Sequence, residues 1–283
     1  MVDTACNPEP IPLGGGSSRL KRFRRLVRQT KVRSDERAFV VDGPTLVAEA
    51  LASPCPVEGV YLGAVHGLEL LTSELDTAGT SLGSTPVYTV DDELLTSILD
   101  PTNPRSVAAV VESPSFTLAD IDADLPLLVA VELRDPGNLG TIIRTAEAAG
   151  FGGVVIVGNS VDHLNPKAVR ASAGSVLRLP IVVYGQCGHA VDALRSAGRR
   201  LVATVVEPSA AAYDRVDLTS SAILVGNEPR GLDAAMVTAA DTAVTIPMAD
   251  GVESLNVGAA AAVLAFEVAR QRRNRRSTDP DVS

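Results

Sequence analysis

The stretch LLVAVELRDPGNLGTIIRTAEAAGFGGVVIVG, residues 127–158, contains the elements that decide the fold of this chain. Residues 127–133 form a continuous apolar run, which is typical of a strand buried on both faces. A glycine-containing turn follows, then a helical pattern up to residue 150 and a second apolar run at 154–158. A strand, a crossover helix and a second strand of this kind predict a parallel sheet with helices on both faces.

The same alternation continues along the chain and predicts four more strands in this sheet. The apolar runs that predict them are PIVVY at 180–184, RLVATVV at 200–206, AILVG at 222–226 and AVTIP at 243–247. Another alternation of strand and helix patterns, between residues 33 and 112, predicts a separate domain in front of the sheet. The fold class we expect is therefore α/β, with a mostly parallel C-terminal sheet after a small α/β domain.

Changes in composition indicate where the domains begin and end. Residues 1–18 are rich in proline and glycine and predict a disordered tail. Residues 113–126 are polar and acidic, with proline near both ends, and predict a linker. We therefore predict an N-terminal domain at 19–112, a C-terminal domain at 127–274 and a second disordered tail at 275–283.

The composition indicates a soluble protein, because 46% of the 283 residues are apolar and can form substantial cores. Cys6, Cys55 and Cys187 have no CxxC spacing, so neither a metal cluster nor a disulfide framework is expected. No apolar run is long enough for a membrane span, and the N-terminus lacks the apolar core of a signal peptide. These features favour a cytoplasmic location.

The charge of the chain is unevenly distributed. The net charge is −9, but residues 1–33 carry eight basic and two acidic side chains. Leu20, Phe23 and Leu26 recur at helical spacing there, which predicts an amphipathic helix with a basic outer face. RNA, a membrane surface and an acidic partner are each compatible with that face, as is solvent alone. A second basic run, RQRRNRR at 270–276, suits the negative C-terminal end of the last helix.

The loop after the first strand of the C-terminal sheet is a candidate ligand site. Gly137 and Gly140 let a ligand approach the backbone closely, and Asn138 adds a neutral donor and acceptor. Arg144 lies on the following helix. A nucleotide-dependent oxidoreductase would use a loop at this position, but the G-x-G-x-x-G spacing of a dinucleotide site is missing. A tight turn with a solvated arginine is the alternative for this loop taken alone.

Two further loops follow strands of the same sheet. ILVGNEPRGL at 223–232 contains Glu228 between two glycines. IPMADGVESLNVG at 246–258 places Ser254 and Asn256 at the start of the last helix, where both residue types commonly act as N-caps. Ligands bind at the carboxyl ends of parallel strands, so three polar loops at such ends predict one shared site.

These segments resemble the three signature motifs of the SpoU/TrmH family of RNA ribose 2′-O-methyltransferases, in the SPOUT superfamily. The resemblance rests on NLGTIIRTAEAAGF, LVGNEPRGL and IPMADGVESLNVGAAAAVLAFE, with NPKAVRASAGSVLRLP at 165–180 between the first two. It covers residues 127–271, and residues 19–112 resemble the family's ribosomal-protein-like RNA-binding domain. The resemblance implies a C-terminal domain with a trefoil knot that forms a homodimer and binds S-adenosyl-L-methionine as methyl donor.

The resemblance also implies roles for individual residues. The catalytic residues that it implies are Arg144, Asn138, Glu228, Ser254 and Asn256. The residues that it implies for S-adenosylmethionine binding are Thr204, Gly226, Asn227, Gly231, Ile246, Met248, Leu255 and Asn256. Because a guanidinium stays protonated in proteins, we expect Arg144 to clamp a phosphate rather than to act as a base. Methyl transfer from a sulfonium needs no metal, so none is expected.

The substrate we expect is structured RNA, with 23S ribosomal RNA favoured because smaller transfer-RNA members of the family often lack the N-terminal domain. The chain has no Trp, five Phe and four Tyr, so phosphate contacts should outweigh base stacking. The residues that we expect to contact RNA are Arg19, Lys21, Arg22, Arg24, Arg25, Arg28 and Arg170. A transfer-RNA methyltransferase and a noncatalytic RNA-binding or ribosome-assembly protein of the same fold are the alternatives.

Overall fold

The short apolar strands of the N-terminal part form a mixed sheet. The computed structural model describes residues 9–100, 106–227 and 231–278. The chain divides into unit 1, residues 1–114 with 164–178, and unit 2, residues 115–163 with 179–283. The strands of the unit 1 sheet are β1 (Ile11–Pro12), β2 (Ala38–Asp42), β3 (Val57–Gly63), β4 (Val87–Val90) and β5 (Val107–Glu112). In the order β1-β4-β3-β5-β2, β5 is antiparallel to both of its neighbours and the other pairs are parallel.

The helices of the N-terminal part pack against this sheet. They are α1 (Ser18–Arg28), α2 (Thr30–Glu36), α3 (Pro44–Ala52), α4 (Gly67–Ala78) and α5 (Asp92–Leu99). The amphipathic pattern predicted for the basic segment is confirmed in α1, because Leu20, Phe23 and Leu26 are buried. Phe23 stacks on Tyr61, with ring centroids 4.4 Å apart. The apolar side of α1 is thus part of the unit 1 core, while its basic side faces outward.

Part of the segment that we predicted as a disordered tail, residues 1–18, is ordered. β1 pairs in parallel with β4, and the backbone N–H of Leu13 donates to the carbonyl of Thr89 at 2.8 Å. The edge of β4 offers unpaired backbone groups, and pairing with β1 satisfies them. Residues 1–8 lie outside the described residues.

The apolar runs of the C-terminal part form a second sheet in which every pair is parallel, which confirms the predicted α/β class. Its strands are β6 (Leu127–Val131), β7 (Gly153–Val157), β8 (Ile181–Tyr184), β9 (Leu201–Thr204), β10 (Ala211–Ala212), β11 (Ala222–Val225) and β12 (Thr242–Thr245). Their order is β10-β12-β9-β11-β6-β7-β8. The six predicted strands are all present, and the two-residue β10 is an addition at one edge.

The helices of the C-terminal part follow these strands. They are α6 (Pro136–Ala148), α7 (Pro166–Ala171), α8 (Cys187–Ser196), α9 (Ala234–Ala239) and α10 (Val257–Thr278). The inner side of α10 is apolar, with Ala261, Leu264 and Val268 fully buried. α10 continues past residue 274, where we placed the end of the domain, and residues 279–283 lie outside the described residues.

The predicted linker at 113–126 is mostly part of unit 2. Residues 118–120 form a 3-10 helix, and Leu118 is buried against the parallel sheet. Arg199, which is 5% exposed, donates hydrogen bonds to the carbonyl oxygens of Ile121, Asp122, Ala123 and Leu125. These bonds hold the segment in place, so the boundary between the units falls between residues 114 and 115.

Between β7 and β8 the chain leaves unit 2 as an excursion, residues 164–178, that packs in unit 1. Arg170 on α7 pairs with Asp42, with 2.6 Å between nitrogen and oxygen, and the Asp42 side chain is 2% exposed. Arg178 pairs with Glu49 at 2.8 Å. We predicted this segment within the C-terminal domain, whereas its contacts group it with unit 1. A buried carboxylate needs a charged partner, and Asp42 finds one in the excursion.

The described cysteines are free thiols. Cys55 is buried and Cys187 is half-buried, and burial raises the pKa of both thiols above the usual value. No cluster of three or more metal-ligating side chains occurs within the ranges that the structure describes. In the same part of the chain, no helix combines the length and apolar character needed to cross a membrane.

Candidate active site

Four neighbouring strands of the parallel sheet lead into the candidate site. In the order β12-β9-β11-β6 these strands are adjacent and parallel, so their carboxyl ends lie along one edge. The loops after β6, β11 and β12 are the three polar loops of the sequence, and Thr204 is the last residue of β9. Neighbouring strands are about 4.8 Å apart, so the four ends lie within roughly 15 Å. The strand order therefore gathers loops that are distant in the sequence.

Asn256 is the N-cap residue of α10. Its Oδ1 accepts hydrogen bonds from the backbone N–H groups of Gly258 at 2.9 Å and Ala259 at 3.2 Å. These bonds satisfy two of the N–H groups that the start of a helix leaves without partners. Of the two cap candidates in this loop, the structure thus assigns the cap to Asn256. Ser254 lies two residues before it and is exposed.

The side chain of Asn256 also contacts the first loop. Its Nδ2 donates a hydrogen bond to Oδ1 of Asn138 at 3.1 Å. Asn138 lies in the first turn of α6, and its backbone N–H donates to the N-cap residue Asp135 at 2.9 Å. The two helices approach closely there, since a Cβ built at Gly258 would lie 3.3 Å from Cγ2 of Thr141. One amide pair therefore joins the starts of α6 and α10.

Arg144 lies on the same helix as Asn138 and its side chain is exposed. The step of six positions from Asn138 to Arg144 corresponds to about 9 Å along the helix axis. No hydrogen bond or ion pair joins Arg144 to another residue of the described ranges. Its neighbours Ile142 and Ile143 are fully buried and fix the orientation of α6. The guanidinium is thus presented at the surface by a rigid helix.

A cavity lies where the carboxyl ends of β9 and β12 meet the start of α10. Its volume is about 60 Å³, and its walls are Thr204, Val205, Val206, Ile246, Met248, Ser254, Leu255 and Ala260. Five of these residues were predicted to belong to the site. A larger cavity of about 450 Å³ shares Val206, Ile246 and Met248 with it. Together they have the size of a typical small-molecule site.

The chemistry of these walls fits a nucleoside-like ligand such as S-adenosylmethionine. Most of the lining side chains are apolar, which suits an adenine ring. The hydroxyl oxygen of Thr204 is buried and has no hydrogen-bond partner among the described residues. A buried polar group without a partner is costly, so a ligand that bonds to this hydroxyl would remove the cost.

The described residues on either side of the second loop lie close together. The backbone N–H of Gly231 donates to the carbonyl of Asn227 at 2.7 Å, and Gly231 has a φ of +63°. A Cβ at Gly226 would lie 2.3 Å from the carbonyl carbon of Gly231, so only glycine fits there. Close backbone packing thus accounts for Gly226, and the positive φ accounts for Gly231. Glu228 lies outside the described residues.

Most of the predicted RNA contacts in unit 1 lie on the outer side of α1. The exposed ones are Arg19, Lys21, Arg25 and Arg28, and Arg24 is half-buried. The guanidinium of Arg19 lies 4.5 Å from the ring centroid of Tyr88, in a cation–π arrangement. Burial raises the pKa of the nearby Tyr61 to about 12, so that residue stays neutral and apolar in character.

Arg22 and Arg170 are predicted RNA contacts that the structure holds in ion pairs. Arg22 bonds to Glu58 at 2.6 Å and also pairs with Glu36. The hydrogen bond to Glu58 is the main reason that the pKa of Arg22 is raised above its ordinary value. Arg170 is paired with Asp42, as described above. Both guanidinium groups therefore already have close carboxylate partners, whereas the more exposed Arg25 has only a long contact to Glu36, at 3.9 Å.

Three residues of the small cavity were not predicted from the sequence. Val205, Val206 and Ala260 line the small cavity beside the predicted residues. A signal for the first two existed, because they directly follow Thr204 at the carboxyl end of a strand. Ala260 lies one turn into α10, where the helical pattern predicts an inner face but not what that face contacts.

The chain is similar to known proteins over most of its length. The SpoU rRNA methylase family model matches residues 126–266, and the MRM3-like substrate binding domain model matches residues 17–109. The 23S rRNA (guanosine(2553)-2′-O)-methyltransferase RlmP of Bacillus subtilis is 32% identical over 238 residues, which are 84% of this chain and 91% of that protein.

Two solved structures with bound S-adenosylmethionine are also similar. The SpoU methyltransferase AviRb from Streptomyces viridochromogenes has a TM-score of 0.77 and 30% identity, over 91% of this chain and 100% of that one. An rRNA methyltransferase from Sinorhizobium meliloti has a TM-score of 0.78 and 29% identity, over 92% and 97%. The similarity extends over both units of the chain. The protein belongs to the SpoU family of RNA 2′-O-methyltransferases.

Proposed function

We propose that this enzyme transfers a methyl group from S-adenosylmethionine to a ribose 2′-hydroxyl of 23S ribosomal RNA. The observation that carries the proposal is the cavity at the ends of β9 and β12, with the unpartnered hydroxyl of Thr204 in its wall. The similar RlmP acts on 23S ribosomal RNA, and the match to a substrate-binding domain at 17–109 supports an RNA partner.

The cavity residues would hold S-adenosylmethionine mainly by enclosing it. Ile246, Met248 and Leu255 provide apolar walls, and the Thr204 hydroxyl provides a polar contact. The remaining residues proposed for this role are Gly226, Asn227, Gly231 and Asn256. When bound, the cofactor supplies a methyl group that is activated by its sulfonium.

Arg144 would position the RNA for this reaction. A planar guanidinium binds a phosphate through two parallel hydrogen bonds, and Arg144 is exposed without another described partner. Fixing the phosphate next to the target ribose would place the 2′-hydroxyl in line with the methyl group. The hydroxyl proton would leave to a phosphate oxygen or to water, since the guanidinium itself is already protonated.

The remaining catalytic candidates would fix the loops and orient the ribose. Asn138 and Asn256 are joined to each other, so they hold the starts of α6 and α10 at a set distance. Ser254 lies in the cavity wall and can hydrogen-bond to a ribose hydroxyl. We propose a similar orienting role for Glu228, on the strength of the motif LVGNEPRGL alone.

The basic side of α1 would bind the phosphate backbone of the RNA. Lys21, Arg25 and Arg28 are exposed and available for such contacts. Arg22 and Arg170 would contribute less, because an RNA phosphate must compete with the carboxylates that already bind them. Phosphate contacts of this kind make binding strongly dependent on salt.

A homodimer is part of the proposal. Phe266 on α10 is 52% exposed and lies beside a cavity of about 280 Å³, whose walls include Leu125, Ala149 and Ala269. Arg272 and Arg273 are also in its wall, and an exposed aromatic side chain at such a depression suits the same surface of a second copy. Light scattering tests this: the wild type should have twice the monomer mass, and Phe266→Asp should give a monomer.

The trefoil knot and the cytoplasmic location are likewise proposals. The knot is supported by the path of the chain, because β12 lies beyond β9 and α10 then packs against α6. Tracing the backbone in a crystal structure tests it. The location is supported by the ribosomal substrate, and cell fractionation tests it.

The decisive experiment supplies the purified protein with labelled S-adenosylmethionine and deproteinised 23S ribosomal RNA. We expect the label to appear in a single 2′-O-methylated nucleoside, whose position primer extension then maps. Parallel reactions with transfer RNA test the alternative substrate. Label in transfer RNA alone would contradict the ribosomal assignment, and no label in any RNA, despite cofactor binding, would indicate a noncatalytic protein.

A further inference from the structure

Basic charge is concentrated in two short segments of this acidic chain. Residues 1–33 contain eight basic and two acidic side chains, and residues 270–276 contain five arginines and no acidic residue. Since the whole chain has 25 basic and 34 acidic residues, everything outside these segments carries 12 basic and 32 acidic ones. Six of the eight basic residues of the first segment lie in α1 and two lie in α2, and the second segment forms the end of α10.

Three arginines converge where α10 ends, on the loop at residues 216–221. We call Arg200, Arg272 and Arg275 the basic cluster. Arg200 donates to the carbonyl of Asp217 at 3.0 Å, and Arg272 donates to the carbonyl of Thr219 at 2.9 Å. Arg275 pairs with the carboxylate of Asp217. Arg272 also donates to the carbonyl of Asp124, at 2.8 Å. These contacts of Arg200 and Arg272 are therefore to neutral carbonyls, which leaves the charges of these two groups available to a phosphate, whereas at Arg275 a phosphate must compete with Asp217.

Two members of the basic cluster are accessible to a large ligand, while Arg272 is half-buried and lines the depression beside Phe266. Arg200 is exposed, and the side chains of Arg275 and Asp217 are 62% and 53% exposed. Exposed guanidinium groups that are already oriented by backbone carbonyls lose little freedom when they bind a phosphate. The arrangement is therefore suited to contacts with a phosphate backbone.

The position of the basic cluster differs from that of the active site. Arg200 directly precedes β9, and the loop at 216–221 precedes β11, so the cluster lies at the amino ends of the strands. The cavity lies at their carboxyl ends. α10 begins at the cavity and rises about 1.5 Å per residue, so its arginines lie roughly 24 to 29 Å away along the helix.

We propose that the basic cluster is a second RNA-binding surface, which contacts phosphates of the substrate RNA about 25 Å from the methylated nucleotide. The inference rests on the proposed function, since it assigns this surface to the same RNA. The cluster contributes affinity and orientation, and the methyl-transfer step takes place elsewhere. A ligand of this extent must be a folded RNA segment rather than a short oligonucleotide.

The test compares Arg200→Glu/Arg275→Glu with a matched control. The control is Arg195→Glu, which reverses the charge of an exposed arginine outside the cluster. Like Arg200, Arg195 donates to a backbone carbonyl, that of Ala239 at 2.8 Å. Affinity for a deproteinised 23S ribosomal RNA transcript is measured over a series of salt concentrations. We expect the double variant to bind at least about 10-fold more weakly. The slope of its log affinity against log salt concentration should correspond to about two fewer released ions, and the control should bind almost normally.

Two further measurements sharpen the outcome. Arg200→Lys/Arg275→Lys keeps the charges and should keep both the affinity and the salt dependence. An RNA hairpin too short to span about 25 Å should be bound and methylated equally by the double variant and the wild type. If the double variant does not fold, Arg200→Glu alone takes its place, because that side chain bonds only to a carbonyl among the described residues.

Unchanged affinity and salt dependence in the double variant would overturn the proposal, and so would an equal loss in the Arg195→Glu control. A failure of the proposed function would give a different result. The wild type would then methylate neither the transcript nor the hairpin, while the binding measurements would still show whether the basic cluster contacts RNA.

Discussion

Nδ2 of Asn256 donates to Oδ1 of Asn138 at 3.1 Å, and this bond joins two helices that follow β6 and β12. The Oδ1 atom of the same Asn256 caps α10. One amide group therefore connects the loops of the active site and starts the helix behind them. The two functions can be separated by substitution.

Replacing Asn256 with Ala should lower both stability and activity. The loss of the cap leaves two N–H groups of α10 without their partner, which costs about 1 kcal/mol in the free energy of unfolding. Asn138→Ala removes the bridge but leaves the cap, so it should lower methyl transfer with a smaller loss of stability. Urea unfolding and steady-state kinetics measure both. Ser254→Ala is the control for the cap, and a stability loss there equal to that of Asn256→Ala would contradict the assignment.

Replacing Thr204 with Val should weaken cofactor binding without destabilising the protein. The two side chains have similar shapes, and the hydroxyl that is lost is buried without a described partner. Removing such a group relieves a cost of about 1 to 3 kcal/mol in the free protein. We expect an unchanged or higher melting temperature and weaker S-adenosylmethionine binding by calorimetry. Thr204→Ser keeps the hydroxyl and should bind well. Equal affinity in Thr204→Val and the wild type would exclude the contact.

Replacing Arg144 with Lys should lower the rate of methyl transfer by about 100-fold, which corresponds to about 2.7 kcal/mol in the transition state. Lysine keeps the charge but cannot make two parallel bonds to a phosphate. The affinity for S-adenosylmethionine should not change, which calorimetry would show. Near-wild-type activity of Arg144→Lys would argue against the bidentate clamp.

Reversing the exposed charges of α1 should weaken RNA binding. The triple variant Lys21→Glu/Arg25→Glu/Arg28→Glu alters side chains on the outer side only. Deleting the helix would be a poor test, because Leu20, Phe23 and Leu26 belong to the unit 1 core. We expect the slope of log RNA affinity against log salt concentration to correspond to about three fewer released ions. Binding of S-adenosylmethionine should be normal. An unchanged salt dependence would mean that RNA does not contact this side of α1.

Replacing Arg199 with Met should destabilise unit 2. Its guanidinium is buried, which lowers its pKa, and it donates to four carbonyl oxygens of the segment that leads into β6. Without these donors we expect a loss of about 2 to 4 kcal/mol in the free energy of unfolding. Arg195→Met, at an exposed position on α8, should change stability by less than about 0.5 kcal/mol. Similar losses in both variants would contradict the role of Arg199.

The elements of this fold that depend on local pattern were predictable from the sequence. The six predicted strands of the parallel sheet are present because continuous apolar runs fit strands covered on both faces. Thr204, Ile246 and Leu255, which the resemblance to the family grouped, line one cavity at the carboxyl ends of β9 and β12. Which strands are neighbours was not predictable, since periodicity does not determine strand order.

Features that depend on single long-range contacts were not predictable. The pair Arg170–Asp42 joins residues 128 positions apart, and nothing in either local sequence indicates the other. The choice between Ser254 and Asn256 as the cap depended on where α10 begins, and helix boundaries are uncertain by one or two residues. Arg199 looks like an ordinary surface arginine in the sequence, although it is buried by the segment it holds.

The excursion at 164–178 has a consequence for synthesis on the ribosome. Unit 1 includes residues that are made only after much of unit 2, so it cannot be complete when its first 114 residues have emerged. Arg170 is synthesised 128 residues after Asp42, with which it pairs. At a synthesis rate of about 5 to 20 residues per second, this delay lasts roughly 6 to 26 seconds. During this interval the nascent N-terminal part carries a carboxylate whose permanent partner does not yet exist. Unit 1 therefore cannot complete its contacts until residues 115–163 of unit 2 have been made.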